Sequence, residues 1–300
     1  MLAGGTSCER EISLISGRAV FDALKIRGLD VSLLDPAKGD FIAPLKNGGV
    51  SIVFIALHGS FGEDGTVQKM LDEAGIAYTG SSAAASARSF DKSIAQTIFK
   101  KIGLLVPESF ALKKSDPLPK ARSLKYPLVV KPAACGSSIG ISILKRAEEF
   151  AEACRTAFMY SDVILIEQFI RGREVTVGVL GEEALPPVEV ITPREFYDTQ
   201  AKYKDSGTRV ECPARLTLKE TAELSKAALT AYHALGCEVM ARVDFILGEN
   251  SAPYILESNT IPGLTGKSLL PKAAKASGVE FPDLCVKILQ LSVNRQGVRK

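Results

Sequence analysis

The segment Val239–Thr260, VMARVDFILGENSAPYILESNT, constrains the fold more than any other stretch of this 300-residue chain. Two runs rich in Val, Ile, Phe and Leu flank GENSA, a turn composition, so the segment reads as a β-hairpin. Centring the turn between Asn250 and Ser251 sets Asp244 opposite Glu257 and Arg242 opposite Asn259. Side chains alternate along a strand, so these four share one face. Val243, Phe245 and Leu247, with Tyr254 and Leu256, take the other face and are expected in the core. Two acids placed opposite one another repel unless a cation lies between them. Asp, Glu and an Asn carbonyl are hard oxygen ligands, the set that Mg²⁺ prefers when phosphate supplies the rest. Arg242 beside them suits a reacting oxygen that gains negative charge. A solvated hairpin face is the alternative. The apolar opposite face and the glycine loop that follows, IPGLTGKS, favour a metal platform.

The remaining chain reads as a wound α/β unit followed by two mixed units. In the first third, REISLISGRAVFDALKIRG carries Ile12, Ile15, Ala19, Ala23 and Leu24 on one stripe and stops at Gly28, a helix with a C-terminal glycine. DVSLLD and SIVFIAL are short apolar strands, and strands alternating with helices imply a parallel sheet with ligand loops at the strand ends. GGTSCERE and LHGSFGEDG are two such loops. The small, polar SSAAASARS marks a boundary, giving units at 1–86, 87–168 and 169–300. The middle unit holds a strand, a glycine-serine loop and a strand in YPLVVKPAACGSSIGISIL, then a helix from Arg146 to Tyr160 and the strand DVILIEQFI. The last unit reads as antiparallel strands, with a polar loop around FYDTQAKYKDSGT and a helix from Leu218 to Leu235.

Bulk properties exclude several function classes. Lys plus Arg is 37 against 34 for Asp plus Glu, and the scattered net charge of +3 predicts neither a nucleic-acid nor a membrane-surface partner. No apolar run approaches the roughly 20 residues of a bilayer span. The start, MLAGGTSCERE, lacks the basic and apolar regions of a signal peptide, so a cytoplasmic location is expected. Six widely spread cysteines without C-x-x-C predict reduced thiols rather than a zinc site or a disulfide framework.

Taken singly, the central loops are weaker signals. Lys131 ends a strand before Gly136, Ser137, Ser138 and Gly140, small residues that let backbone N–H groups approach phosphate oxygens. The Walker pattern is absent, and a plain hairpin turn is the alternative. Lys92 opens a helix and could equally be solvated. Glu167 and Glu174 sit at strand ends where carboxylates can hold a ribose hydroxyl or an adenine amine, and surface acids would look the same.

In combination these segments are specific. GGTSCEREIS, HGSFGEDG, DK, KPAACGSSIG, EQFIRGRE, FYDTQAKY, RVD and LESNTIPGLTGKS occur in the order found in the D-alanine–D-alanine ligases, and the chain resembles that family over nearly its whole length. The resemblance implies an ATP-grasp fold, α/β or α+β overall, with an N-terminal wound parallel sheet domain and two mixed α+β domains. It implies cytoplasmic cell-wall synthesis, in which ATP phosphorylates one D-alanine and the amine of a second attacks the acylphosphate. Lys92, Lys131 and Ser138 would contact phosphates, with Lys202 also on the nucleotide. Glu167, Phe169, Ile170 and Glu174 would line the adenine and ribose. Asp244, Glu257 and Asn259 would bind Mg²⁺ or Mn²⁺, with two ions accompanying ATP. Arg242 and the Gly263 backbone would stabilise the oxyanion. Glu11 would hold the first D-alanine's ammonium with His58 nearby, and Ser268 and Leu269 would receive the second. Ser137 and Tyr203 would join Glu11 in a hydrogen-bonded group, and a homodimer is implied.

Three departures from the family pattern stand out. Only Met1–Ala3 precede GGTS, so either the start codon is misplaced or the first strand is stunted; Thr199 replaces a common Tyr, and Gln168 a frequent Lys. The competing readings are a ligase using D-lactate or D-serine as acceptor, a non-catalytic nucleotide-binding module, and a dinucleotide-binding dehydrogenase. Tyr203 disfavours the first, the retained acids and lysines the second, and the incomplete glycine fingerprint of GGTS the third.

Overall fold

The structure is a computed structural model that describes residues 1–192 and 207–296. Its N-terminal part is a parallel array, as the alternation predicts, but one built from single bridges. Leu2 pairs in parallel with both Leu34 and Ile55, and Val53 pairs with Tyr78. The short Met1–Ala3 segment is nevertheless fully engaged: Leu2 N–H donates to Phe54, Ala3 N–H to Leu34, and Ala56 N–H returns to Leu2. Helices α1 (Arg10–Ile26), α2 (Ile42–Asn47), α3 (Thr66–Ala74), α4 (Ala83–Phe90) and α5 (Lys92–Lys101) follow or flank these segments.

The buried face of α1 differs from the apolar stripe read in the sequence. Ser13, Ser16, Gly17, Val20, Ala23 and Leu24 face inward, while Ile15 is 58% exposed. Close approach decides the face. A β-carbon at Gly17 would lie 2.3 Å from the Cβ of Ala3, so glycine is what lets the helix approach there. The cost of burying Ser13 is met by hydrogen bonds, because its hydroxyl donates to Ala56 O at 2.7 Å and accepts from Gly4 N–H at 2.8 Å.

The middle of the chain forms an antiparallel four-stranded sheet in the order β1-β4-β2-β3, from β1 (Ser109–Lys113), β2 (Leu128–Pro132), β3 (Ser142–Leu144) and β4 (Val163–Gln168). Helix α6 (Phe150–Ala157) is shorter than the expected Arg146–Tyr160, because a 3₁₀ turn occupies Ala147–Glu149. It covers one sheet face, with Phe150, Cys154 and Ala157 packed on Val130, Ile164 and Ile166. The other face stays open to the cleft described below.

A second antiparallel sheet runs β10-β9-β5-β7-β8, with β6 beside β5. Its strands are β5 (Gly172–Leu180), β6 (Glu183–Ala184), β7 (Val188–Ile191), β8 (Arg209–Glu211), β9 (Met240–Gly248) and β10 (Pro253–Asn259). Helix α7 spans Leu218–Leu235, as the sequence predicts, between a Thr217/Glu220 capping box and a left-handed Gly236. It buries Leu224, Ala228, Ala231 and Leu235 against the Val175, Val243 and Phe245 face of the sheet.

Two last helices, α8 (Leu269–Ala276) and α9 (Phe281–Gln296), return to the start of the chain. Leu270, Ala273, Leu284, Cys285 and Ile288 share one core with Met1, Ala3, Val20 and Leu24. No helix among the described residues is long and apolar enough to cross a membrane.

Candidate active site

The β9–β10 hairpin opposes Asp244 to Glu257 and Arg242 to Asn259, the pairing expected from the sequence. It reaches that pairing by an unexpected route. Near the turn, Tyr254 pairs with Ile246 and Ile255 with Phe245, one residue out of the expected register; a β-bulge then shifts the ladder before Glu257. The extra residue is Leu256, which therefore faces the cleft, while Ile255 is the fully buried core residue. Tyr254 and Leu256 are accordingly not the core positions that simple alternation suggested. Without the bulge, Glu257 would point into the core.

Around this hairpin the charges are compensated pair by pair. Arg242 donates to both oxygens of Asp244 at 2.8 Å in a bidentate fork. Burial opposes the Arg242 charge, but Asp244, then Glu257 and Glu63, outweigh it and raise the guanidinium pKa. Lys92 lies 2.9 Å from Glu257 and donates to the Cys135 carbonyl at 2.7 Å. Its buried ammonium is penalised by desolvation, yet its pKa is raised by Glu257, Cys135 and Glu63. Asn259 Oδ1 accepts from Ile261 N–H, which fixes the amide at the strand end. Two opposed carboxylates and an amide oxygen, with cations held beside them, suit Mg²⁺ that shares its remaining positions with phosphate oxygens.

Sequence reading missed Thr176. It is 3% exposed and donates its hydroxyl to Asp244 at 2.6 Å. Its position two residues after Glu174 on β5 puts both on the cleft face. Thr176→Val keeps the shape and removes one bond to a charged group, worth about 1.5 kcal/mol or more. ADP release should then fall by about tenfold while the protein stays folded and melts only a few degrees lower, as steady-state kinetics and calorimetry would show. Unchanged turnover would mean that Arg242 alone orients Asp244.

Between the two sheets lies a cavity of about 620 Å³. Lys92, Lys131, Ser138, Glu167, Phe169, Ile170 and Glu174 all line it, as do Asp244, Glu257 and Leu269. Lys131 and Glu167 are 5% and 2% exposed and lie 2.9 Å apart. Gln96, one helical turn after Lys92, donates to the other Glu167 oxygen. Glu167 thus holds the Lys131 ammonium instead of standing as an isolated carboxylate. At the loop between β2 and β3, Ser137 and Ser138 adopt left-handed backbone angles, φ 52° and 57°. Such non-glycine conformations cost about 1 kcal/mol each and concentrate at functional loops.

At the other end of the cleft the structure corrects one expectation. Glu11 is exposed in the first turn of α1 and does not meet Ser137. Glu9, at the helix N-cap position and 8% exposed, accepts a hydrogen bond from the Ser137 hydroxyl. Side chains at Gly59 or Gly136 would collide with the Glu9 carboxylate, so these glycines form its cradle. The Oε2 atom of Glu9 is buried and has no hydrogen-bond partner among the described residues. Next to it, buried His58 contacts Glu63 through Nδ1 and Ser16 through Nε2, each at 3.1 Å. Burial raises the Glu63 pKa against the opposing His58 bond, and the Glu9 charge adds to the rise. Neither Glu63 nor Ser16 was singled out in the sequence. Ser268 stands at the N-cap position of α8 with its hydroxyl bonded to Thr265 instead of to the helix, and a β-carbon at Gly263 would lie 3.0 Å from that hydroxyl. Lys202 and Tyr203 lie outside the described residues.

Comparison with known proteins gives a consistent result. A family model described as "D-ala D-ala ligase C-terminus" matches residues 98–290, and one described as "D-ala D-ala ligase N-terminus" matches 40–81. The chain is 43% identical to a D-alanine–D-alanine ligase of Methylacidiphilum infernorum over 98% of its own length and 95% of the relative's. It is 44% identical to one from an Anaeromyxobacter species, over 96% of this chain and 94% of that one. Among solved structures, the Bacillus anthracis D-alanine–D-alanine ligase complexed with ATP superposes with a TM-score of 0.86 at 31% identity, covering 99% of this chain and 97% of the other. The two antiparallel sheets closing on a charged cleft are the ATP-grasp arrangement of these ligases. By motif, fold and site geometry together, this chain belongs to the D-alanine–D-alanine ligase family.

Proposed function

We propose that this protein joins two D-alanine molecules through a D-alanyl phosphate intermediate, using ATP and releasing ADP and phosphate, to supply cytoplasmic peptidoglycan synthesis. The observation that carries the reading is the cleft itself. Two buried lysines and an opposed Asp–Glu pair converge between two sheets, at one end of which a buried carboxylate has an oxygen without a partner among the described residues.

Each role follows from a charge that the chain leaves ready. Lys92 and Lys131 neutralise phosphate oxygens, with Gln96 and Glu167 keeping Lys131 in place. Phe169, Ile170 and Glu174 line the nucleoside end. Asp244, Glu257 and Asn259 would hold Mg²⁺ or Mn²⁺, which when bound would add to the neutralisation of the polyphosphate. Glu9, not Glu11, binds the ammonium of the first D-alanine through its open oxygen, and Ser137 orients that carboxylate. The His58–Glu63–Ser16 chain backs this subsite. Arg242 and the Gly263 N–H meet the negative oxygen that develops when the second amine attacks. Ser268 and Leu269, at the start of α8, receive the second carboxylate. The working form is a homodimer.

ADP release should be measured with D-alanine, L-alanine, D-serine and D-lactate supplied separately. D-alanine alone should support turnover, and EDTA should abolish it. Equal turnover with L-alanine, or in EDTA, would sink the assignment.

A further inference from the structure

Cys8 and Cys135 come from chain segments far apart in sequence that are brought side by side at the seam of the cleft. Cys8 precedes Glu9, and Cys135 precedes Gly136 and Ser137. Those neighbours are already in contact, since Ser137 bonds Glu9 and Gly136 packs against the same carboxylate. The two thiols influence one another's ionisation across this seam. Cys8 is exposed and Cys135 half-buried, so small solutes reach the pair from the solvent side. No third His, Cys, Asp or Glu joins them in a metal-holding group among the described residues, which leaves sulfur–sulfur chemistry as the pair's own.

We propose that Cys8 and Cys135 are a modification site, a dithiol that peroxide converts to a disulfide joining the amino-terminal loop to the phosphate-facing loop and halting turnover until a thiol reductant reopens it. In the first step the Cys8 sulfur attacks one peroxide oxygen. The O–O bond breaks, and the departing hydroxide takes the thiol proton to become water. This leaves Cys8 as a sulfenic acid. The Cys135 sulfur then attacks the Cys8 sulfur. The S–O bond breaks, and hydroxide leaves with the Cys135 proton as a second water. Two thiols are oxidised by two electrons and one peroxide is reduced.

Both thiols are held protonated in the resting protein. Burial and then the Glu9 charge raise the Cys8 pKa. Burial and the neighbouring Cys8 push Cys135 up to about 11 against the opposing pull of Lys92, with Glu9 adding to the rise. The site therefore answers to excess oxidant and stays reduced in trace peroxide. Once formed, the bond pins the loop whose Cys135 carbonyl holds Lys92 and whose Ser137 holds Glu9. Nucleotide entry and substrate capture are tied by one covalent link.

The loss of turnover rests on the ligase reading, whereas the cross-link does not, so the two are measured separately. The full chain is treated with excess hydrogen peroxide and digested without reductant, and the peptides are analysed by mass spectrometry alongside ADP release. A Cys8–Cys135 linked peptide should appear, ADP release should fall by about tenfold or more in step with it, and dithiothreitol should restore both. Cys8→Ala, or Cys8→Ser if that variant folds better, should hold its own untreated rate within about twofold under the same peroxide. Inactivation without the linked peptide would overturn the proposal. So would equal inactivation of both Cys8 variants, or a linked enzyme that turns over at full rate.

Discussion

Glu257→Gln is expected to lower ADP release by about a hundredfold or more, or about 2.7 kcal/mol of barrier, while the protein stays folded. The substitution keeps the shape of the side chain and removes one of two opposed negative charges. It also strips Lys92 of its carboxylate partner, leaving a buried ammonium held only by a backbone carbonyl among its described hydrogen bonds. That ammonium then loses the main attraction keeping its pKa high. Glu257 is itself 29% exposed on its side chain, so the stability cost is modest beside the catalytic one. Turnover should be compared with circular dichroism and thermal melting on the same preparation. A folded variant within about twofold of the unsubstituted protein, less than ~0.5 kcal/mol, would make Glu257 an ordinary half-buried acid.

The second large effect separates two glutamates that stand two residues apart. Glu9→Gln should raise the D-alanine KM, or lower kcat/KM, by about a hundredfold, and Glu11→Gln should stay within about twofold of the parent. Glu9 is buried with one oxygen bonded to Ser137 and the other without a partner among the described residues. A substrate ammonium would complete its bonding and supply the missing positive charge, a charge-assisted contact that an amide cannot replace. Glu11 is exposed on the first turn of α1. D-alanine saturation curves for both variants decide the matter. Equal losses in the two, or a larger one for Glu11, would return the role to the exposed residue.

These two cases also show what the sequence does and does not carry. The opposed acids of the hairpin were legible, because strand alternation leaves a polar face only where something needs it. The bulge that puts them there was not, because a turn's centre cannot be fixed from GENSA when one extra residue at Leu256 restores the pairing. In CERE the two glutamates have the same parity, and nothing local distinguishes them. The distinction comes from α1 starting at Arg10, which leaves Glu9 outside the helix and facing the phosphate-side loop. Small residues misled the reading of α1 as well, since Ser13 and Gly17 are buried by close approach rather than by hydrophobicity. Gln96 and Thr176 had detectable signals. One follows Lys92 at helical spacing and the other follows Glu174 at strand spacing, so each shares the face of a residue already under suspicion. Glu63 had none, because its link to His58 needs the loop's folded shape.

The last two helices close a core that the first residues of the chain open. As the chain leaves the ribosome, Met1, Ala3, Val20 and Leu24 therefore have no complete partner surface until Leu284, Cys285 and Ile288 have been made. The two antiparallel sheets, closed by contacts among residues 109–259, can assemble earlier. Such long-range closure is slow and leaves apolar surface waiting during synthesis. A nascent chain arrested before α9 should consequently hold a formed nucleotide cleft beside an unfinished amino-terminal unit, and it is at that stage that the protein would be most in need of a chaperone.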